Sequence, residues 1–161
     1  MAVARVHVRS WQAAYRGLLP DDYLDQLRPE DRAPKYTFGN PDPLTPWTVV
    51  AGEKGSIYGF ATTGPARDRD LTECGELMAL YVDPERWGRG IGNALMSAAR
   101  ARLDELGFRN AILWVLEGNV RAERFYRIDG WTPDGLRRTK PAWGVTVDEV
   151  RYQRRLDSSL T

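Results

Sequence analysis

Apolar residues recur at helical spacing at the front of the chain, at strand-like spacing through its middle, and then switch between the two. VARVHVRSWQAAYRG reads as a helix ending near Gly17, with Val3, Val6, Ala13 and Ala14 available for a buried stripe. LPDDYLDQLRPED places Pro20 and two aspartates at a second helix start, followed by Tyr23, Leu24 and Leu27 at helical spacing. From Pro29 to Pro46 proline and charge dominate, which predicts a loop with room for a broken helical turn. WTVVAGEKGSIYGFATTG predicts two strands joined by a tight turn at Lys54-Gly55, ARDRDLTE a charged loop, and CGELMALYV a third strand.

Further on, Ile91, Leu95, Ala99, Leu103 and Leu106 form one apolar stripe on a long helix that Gly107 ends. NAILWVLE is nearly all apolar, as expected of a strand buried on both faces. NVRAERFYRIDG predicts a short helix capped by Asn119 and stopped at Gly130, and WTPDGLRRT with WGVTVDEVRYQRRL a closing pair of strands. The order is helix, helix, three strands, helix, strand, helix, two strands, with no repeat or linker. A strand–helix–strand crossover among hairpin-joined strands predicts an α/β (α+β) fold: a mixed, mostly antiparallel sheet of about six strands with helices on both faces. The crossover makes its flanking strands parallel and should be right-handed.

Composition narrows the chemistry. With 161 residues, one full core is expected and two are not, so 1–161 is read as a single domain. A formal net charge of +1 gives no global reason for a nucleic-acid or anionic-membrane partner. Cys74 is the only cysteine and His7 the only histidine. An internal disulfide is excluded, a reducing compartment fits, and His/Cys metal sites or histidine-based triads have little to build on, so no metal is expected. No apolar run is long enough to cross a bilayer and MAVARVHVRS lacks the apolar core of a signal peptide, so the expectation is a cytoplasmic protein.

Between the third strand and the long helix, YVDPERWGRGIGNAL sets glycines at alternate positions, Gly88, Gly90 and Gly92. A helix start leaves its first N–H groups unpaired and partly positive, and glycines ahead of it remove the Cβ atoms that would hold a phosphate away. Arg86 and Arg89 could add charge at the rim. Two phosphate loops fail on spacing: a dinucleotide fingerprint from Gly88 would need Gly or Ala where Asn93 stands, and the triphosphate P-loop needs a lysine. Chemistry alone leaves a packing turn as open as an anion site.

LYVDPERWGRGIGNAL closely resembles the coenzyme A loop of the GNAT superfamily of N-acetyltransferases, Gln/Arg-x-x-Gly-x-Gly/Ala. The pattern falls on Trp87-Gly88-Arg89-Gly90-Ile91-Gly92, with Trp87 departing from the Gln/Arg position. LEGNVRAERFYRIDGW resembles the family's second cofactor segment, Asn-x-x-Ala-x-x-Phe-Tyr, on Asn119, Ala122, Phe125 and Tyr126. The layout from Trp47 to Leu156 is similar to the superfamily, and SWQAAYRGLLPDDYL resembles the first two helices of a common bacterial branch. Family members usually open with an edge strand before the first helix. Here the helix begins almost at Met1, so the first edge strand is expected to be missing, either because the start of the sequence is trimmed or because the sheet has lost it, and an unpaired edge is a place for another chain to pair.

The resemblance implies acetyl-CoA as acyl donor and direct transfer, through a ternary complex, to a primary amine of a small molecule or a protein or peptide. It allows a homodimer, which no residue argues for. It also implies that ELMALYV and AILWVLE splay, with Tyr81 and Val82 nearest the pyrophosphate. A free N–H near Met78 to Leu80 would then donate to the thioester oxygen, a contact worth roughly 2.7–4 kcal/mol when lost. Main-chain donors from Trp87 to Asn93 would hold the pyrophosphate, and Asn119, Ala122 and Phe125 would border the cofactor.

Tyr126 is the candidate general acid: a phenol of pKa about 10 facing a thiolate whose parent pKa is about 8.5, aided by close approach in a dry site. The alternative is an aromatic core residue. Glu76 is the first choice of base for an amine that arrives protonated, with Glu73 and Glu117 behind it; a salt-bridged strand carboxylate is the alternative. Cys74 would permit an acetyl-cysteine, but nothing activates it and a small buried residue is the simpler reading. His7 should be partly exposed on an amphipathic helix. Acceptor specificity is expected from Trp11, Tyr15, Tyr23, Arg67 to Asp70 and the hairpin near Trp143; Trp11 and Tyr15 are core residues more often than an ammonium cage, and Asp21, Asp22 and Asp25 more often complement a helix dipole. A non-catalytic acyl-CoA-binding regulatory module and a plain structural domain are the rival readings, and the acceptor itself stays open.

Overall fold

A computed structural model of the chain describes residues 1–35, 42 and 45–156. Its helices are α1 (Ala2–Ala14), α2 (Asp21–Asp25), α3 (Pro29–Arg32), α4 (Ile91–Glu105) and α5 (Val120–Ile128). Its strands are β1 (Trp47–Glu53), β2 (Ser56–Pro65), β3 (Cys74–Val82), β4 (Asn110–Leu116), β5 (Thr132–Ala142) and β6 (Val145–Arg155). The order of elements is the one the apolar pattern predicts. Helix α3 and a 3₁₀ turn at Ala33–Lys35 fall in the stretch read as loop with a broken turn. The rest of that reading, at residues 36–41, 43 and 44, lies outside the described residues.

The strands form one sheet ordered β1-β2-β3-β4-β6-β5, with β3 and β4 parallel and every other neighbouring pair antiparallel. Among the described residues no strand precedes α1, and β1 is an edge of the sheet. Helix α4 lays Leu95, Met96, Ala99 and Leu103 against Ala61 and Leu77, whereas Val3 and Val6 of α1 meet Phe60. Phe60 and Ala61 are neighbours on one strand and point to opposite faces, so α1 and α4 cover opposite sides of the sheet. Gly107, at φ +90°, closes α4: its N–H reaches the Asp104 carbonyl (2.9 Å) and the Phe108 N–H reaches Leu103 (3.2 Å), the paired bonds of a Schellman end.

The stripe expected on α1 is wider and differently placed than the spacing implied. Ala13 is exposed, while Ala4, His7, Val8, Ser10 and Trp11 join Val3 and Val6 in the interior. The reason is that α1 touches the sheet on one side and α2 and α3 on another, so more than one face is covered.

Two irregularities in β3 open the sheet. Thr62 pairs with Ala79 and Thr63 with Leu77, so Met78 is an extra residue, a β-bulge. The parallel ladder with β4 runs only from Cys74–Asn110 to Leu77–Leu113. Beyond it β3 continues to Val82 and β4 to Leu116 with no pairing between them, and the sheet opens into a cleft.

Candidate active site

The cleft has a volume of about 830 Å³ and is walled by Met78 to Val82 on one side and Trp114 to Leu116 on the other. Its lip is the glycine turn. The amides of Gly88, Arg89, Gly90, Ile91, Gly92 and Asn93 have no hydrogen-bond acceptor among the described residues; the next one, Ala94, bonds to the Gly90 carbonyl at 3.1 Å. The amide of Trp87 donates to Pro84 (3.3 Å), so the free run begins one residue later than the motif suggested. Helix α4 starts with no side-chain cap and no acidic residue in its first turn, which leaves the positive end of its dipole uncompensated. Gly88 and Gly90 sit at φ +78° and +81°, and a Cβ on either would meet nothing within 4 Å. Gly92 also serves packing, since a Cβ there would lie 3.4 Å from the Phe125 ring and its bareness lets α5 settle beside α4.

The remaining residues expected around the cofactor converge on this cleft with two qualifications. Leu80, Val82, Trp87, Ile91, Asn119, Ala122, Phe125 and Tyr126 all line it. Asn119 caps α5 by accepting from the Ala122 amide at 3.3 Å. Arg89 is exposed and does not line the cleft, although its amide falls within the unbonded run. Tyr81 lines the cleft, but its side chain faces α1: its hydroxyl accepts from the Trp11 indole (3.1 Å) and its ring stacks on His7 at 4.5 Å.

Trp87 is fastened where the family pattern has Gln or Arg. Its indole donates to the Val82 carbonyl (2.9 Å), and the Arg121 guanidinium lies over its ring at 3.5 Å. Arg121 and Arg124, which sequence reasoning missed, line the cleft with Arg86. The available signal was their place on the first two turns of α5, directly after the capping asparagine.

Opposite the glycine turn, the wall is built by α1, α3, β5 and β6. Trp11 and Tyr15 are buried yet line the cleft, as does Trp143 at the β5–β6 turn, where it adopts φ +51°. Contacts fix that strained turn: Tyr23 donates to the Trp143 carbonyl, and the Trp143 ring packs 5.0 Å from Trp11 and 5.2 Å from His7. Tyr23 thus supports the wall without lining it, and Asp21 and Asp25 pair with Arg16.

His7, expected to be partly exposed, is 3% exposed. Burial, with the nearby Arg32 charge second, lowers its pKa from 6.5 to about 3. As pH falls the unfolded chain therefore takes up this proton first. Its contribution to stability is complete above the unfolded value of 6.5 and is lost as pH drops toward 3. At pH 5 the loss is about 2 kcal/mol, or roughly 4–8 °C in Tm for a chain of this size. Calorimetry between pH 7.5 and 5 should show that decline in the wild type and a flatter one in His7→Phe; equal slopes would contradict it.

The carboxylates separate by position. Glu76 is 1% exposed, does not line the cleft, and accepts three hydrogen bonds from Arg67: the backbone amide at 3.1 Å, Nε at 3.3 Å and Nη2 at 2.7 Å. Glu73 is exposed, and Glu117 pairs with Arg137 away from the wall. The loop carrying Arg67 is anchored by the buried Arg151, which binds Asp68 (2.8 Å), Asp70 (3.0 Å) and Asp134 (2.6 Å). Neither Asp68 nor Asp70 lines the cleft. Glu149, absent from the sequence reading, does. It sits opposite Arg138 in the β5–β6 ladder, a register that the sequence alone did not supply.

Tyr126 is half-buried with its ring against Phe125 (5.6 Å), Trp131 and Tyr152 (both 6.5 Å). Its hydroxyl has no hydrogen-bond partner among the described residues, and burial, with Tyr81 second, raises its pKa above the ordinary phenol value. Cys74 is buried off the cleft, its thiol pushed up to about 11 by burial. Among the described residues no group of His, Cys, Asp and Glu could hold a metal ion, and no helix is long and apolar enough to cross a membrane.

A bulged, splayed sheet with an open glycine turn at its mouth defines the class. Residues 7–131 match the sequence profile of the Acetyltransferase (GNAT) family, and the chain belongs to it. It is 37% identical over 117 residues to the uncharacterized N-acetyltransferase YuaI of Bacillus subtilis strain 168, covering 73% of this chain and 66% of that protein. It is 36% identical over 98 residues to a mycothiol acetyltransferase of Propionibacterium freudenreichii, covering 58% of this chain and 31% of that one. The chain therefore spans slightly under two thirds of the first relative and about a third of the second. The fold is shared with the PaiA N-acetyltransferase of Thermoplasma acidophilum, solved in complex with coenzyme A (TM-score 0.71, 18% identity, covering 96% and 91% of the two chains). It is shared also with a GCN5-related N-acetyltransferase from Kribbella flavida (TM-score 0.68, 21% identity, covering 96% and 90%).

Proposed function

We propose that this chain is an acetyl-CoA-dependent N-acetyltransferase that transfers acetyl directly to a primary amine within a ternary complex. The observation that carries the reading is the run of six consecutive unbonded amides, Gly88 to Asn93, at the mouth of a cleft between two unpaired strand ends. Such a run is matched to a pyrophosphate, with the α4 dipole adding to its pull and Arg86, Arg121 and Arg124 supplying charge for further phosphate. The β4-facing edge of Met78 to Val82, freed by the splay, is placed to pair with an extended pantetheine arm. Bound acetyl-CoA supplies the activated acetyl group as a thioester.

Tyr126 gives its proton to the departing sulfur. A raised phenol pKa makes transfer to a thiolate uphill unless the phenol regains a proton from the attacking nitrogen in the same event, so Tyr126 acts as a relay between nitrogen and sulfur. Glu76, with three donors of Arg67 on its oxygens, holds that arginine at the cleft instead of taking the amine's proton. Cys74, buried and off the cleft, has no part in the transfer.

Isothermal titration with acetyl-CoA, followed by thiol release with a panel of primary amines, tests the reading. Saturable heat and amine-dependent release are expected. Heat without release from any amine would leave an acyl-CoA-binding module, and no heat would leave a structural domain.

A further inference from the structure

The wall facing the glycine turn is unlike one built for a polycation. Among its described residues Arg32, Arg67 and Lys140 line it with one carboxylate, Glu149, and the aromatic residues Trp11, Tyr15, Trp114 and Trp143. The nearest charged contacts to Glu149 both fall on one oxygen: Arg138 Nε donates to Oε1 at 2.9 Å and Lys140 Nζ lies 3.6 Å from it. Among the described residues no side chain donates a hydrogen bond to Oε2. Among the described residues Lys140 makes no closer ion pair, and Arg67 binds Glu76 through Nε, Nη2 and its amide, with no hydrogen bond from Nη1 to any of them. Arg67, Lys140 and Glu149 are close enough to influence one another's charge, and Tyr15 feels both Glu149 and Tyr126. One carboxylate and two cationic side chains therefore line the same cleft as the candidate acid.

Resting on the acetyl-transfer reading, we infer that the acceptor is a small primary amine that also carries a carboxylate, an amino acid or short peptide, with its ammonium on Glu149 and its carboxylate between Lys140 and Arg67. Glu149 takes one proton from the ammonium. The freed amine forms the C–N bond as the C–S bond breaks, and Tyr126 protonates the leaving sulfur and regains a proton from the nitrogen. The products are an amide, a free thiol and one proton on Glu149, so atoms and charge balance. A polyamine or aminoglycoside would instead bring several positive charges to a wall whose described residues offer them Glu149 as the carboxylate and Lys140 beside it, a mismatch that selects against it.

The test is the rate of thiol release by the whole chain with acetyl-CoA and matched acceptors: phenylalanine and phenylalaninamide, a dipeptide and its C-terminal amide, and spermidine. The carboxylate member of at least one pair should have a kcat/KM at least about tenfold above its amide, and the pair that shows it separates free amino acid from peptide. Basicity at constant pH cannot produce that preference, because the amides carry the more readily deprotonated amine. Lys140→Met should abolish the preference by raising KM for the carboxylate acceptor more than for its amide, and Lys140→Arg should keep it. Glu149→Gln should lower kcat for both members, less so as pH rises through the amine's own pKa. Faster turnover of spermidine or of the amides, or a preference unchanged in Lys140→Met, overturns the inference and leaves acetyl transfer standing. Coenzyme A binding with no release from any amine overturns both.

Discussion

Tyr126→Phe should cut kcat by at least about 100-fold while coenzyme A affinity and thermal stability stay close to wild type. The asymmetry follows from what the residue does with each part of its side chain. Its ring is held by Phe125, Trp131 and Tyr152, and a phenyl ring keeps those contacts. Its hydroxyl has no protein partner among the described residues, so removing it strands no donor or acceptor. On the proposed mechanism only proton delivery to sulfur is lost. Because the phenol pKa is raised, Tyr126 also stays protonated across the working range, and kcat/KM should show no falling alkaline limb below about pH 10. Steady-state thiol release and a thermal melt decide the matter. A Phe variant within about threefold of wild type would return Tyr126 to the aromatic core.

Gly90→Val should have a comparable effect on a different step, weakening coenzyme A binding by at least about 100-fold. Gly90 holds the left-handed conformation at φ +81° that turns the chain into α4. A β-branched residue there is strained by roughly 1–3 kcal/mol, and relief of that strain rotates the amides that follow. Two charge-assisted hydrogen bonds lost to a phosphate, each worth roughly 1.5–3 kcal/mol, account for a change of that size. The fold should suffer less, because a Cβ at this position meets nothing within 4 Å. Titration calorimetry beside a melt separates the two effects: affinity lost with Tm lowered by only a few degrees is expected, and unchanged affinity would remove the turn from the site.

Where the sequence was informative, one local signal sufficed. The helices and strands were legible because apolar spacing, caps and turn glycines act within a few residues. The glycine turn and the Asn119 segment were legible because their chemistry lies in short contiguous runs. What was hidden depends on register and on packing from more than one side. Nothing in ELMALYV marks Met78 as the bulged residue: there is no Gly or Pro at that point, and the extra residue follows from how β2 and β4 both pair with β3. Glu149 was missed for the same reason, since its neighbours Arg138 and Lys140 come from the other strand of a long hairpin and Arg67 from a distant loop. Tyr81 lines the cleft as expected, but which way its side chain turns was hidden too: it faces α1, against Trp11 and His7. His7 escaped a one-sided view of α1 because that helix is covered by the sheet and by α2 and α3.

Trp87 shows how a departure from a pattern can be absorbed locally. Its amide is used in the turn and its indole is tied to Val82, while the six amides after it remain open. On the proposed reading cofactor binding turns on those open amides, and they can be observed one by one. In ¹H–¹⁵N correlation spectra of the uniformly labelled chain titrated with coenzyme A, the resonances of Gly88, Gly90, Gly92 and their neighbours through Asn93 should move downfield and saturate together. Saturation elsewhere in the cleft while those resonances stay in place would contradict it.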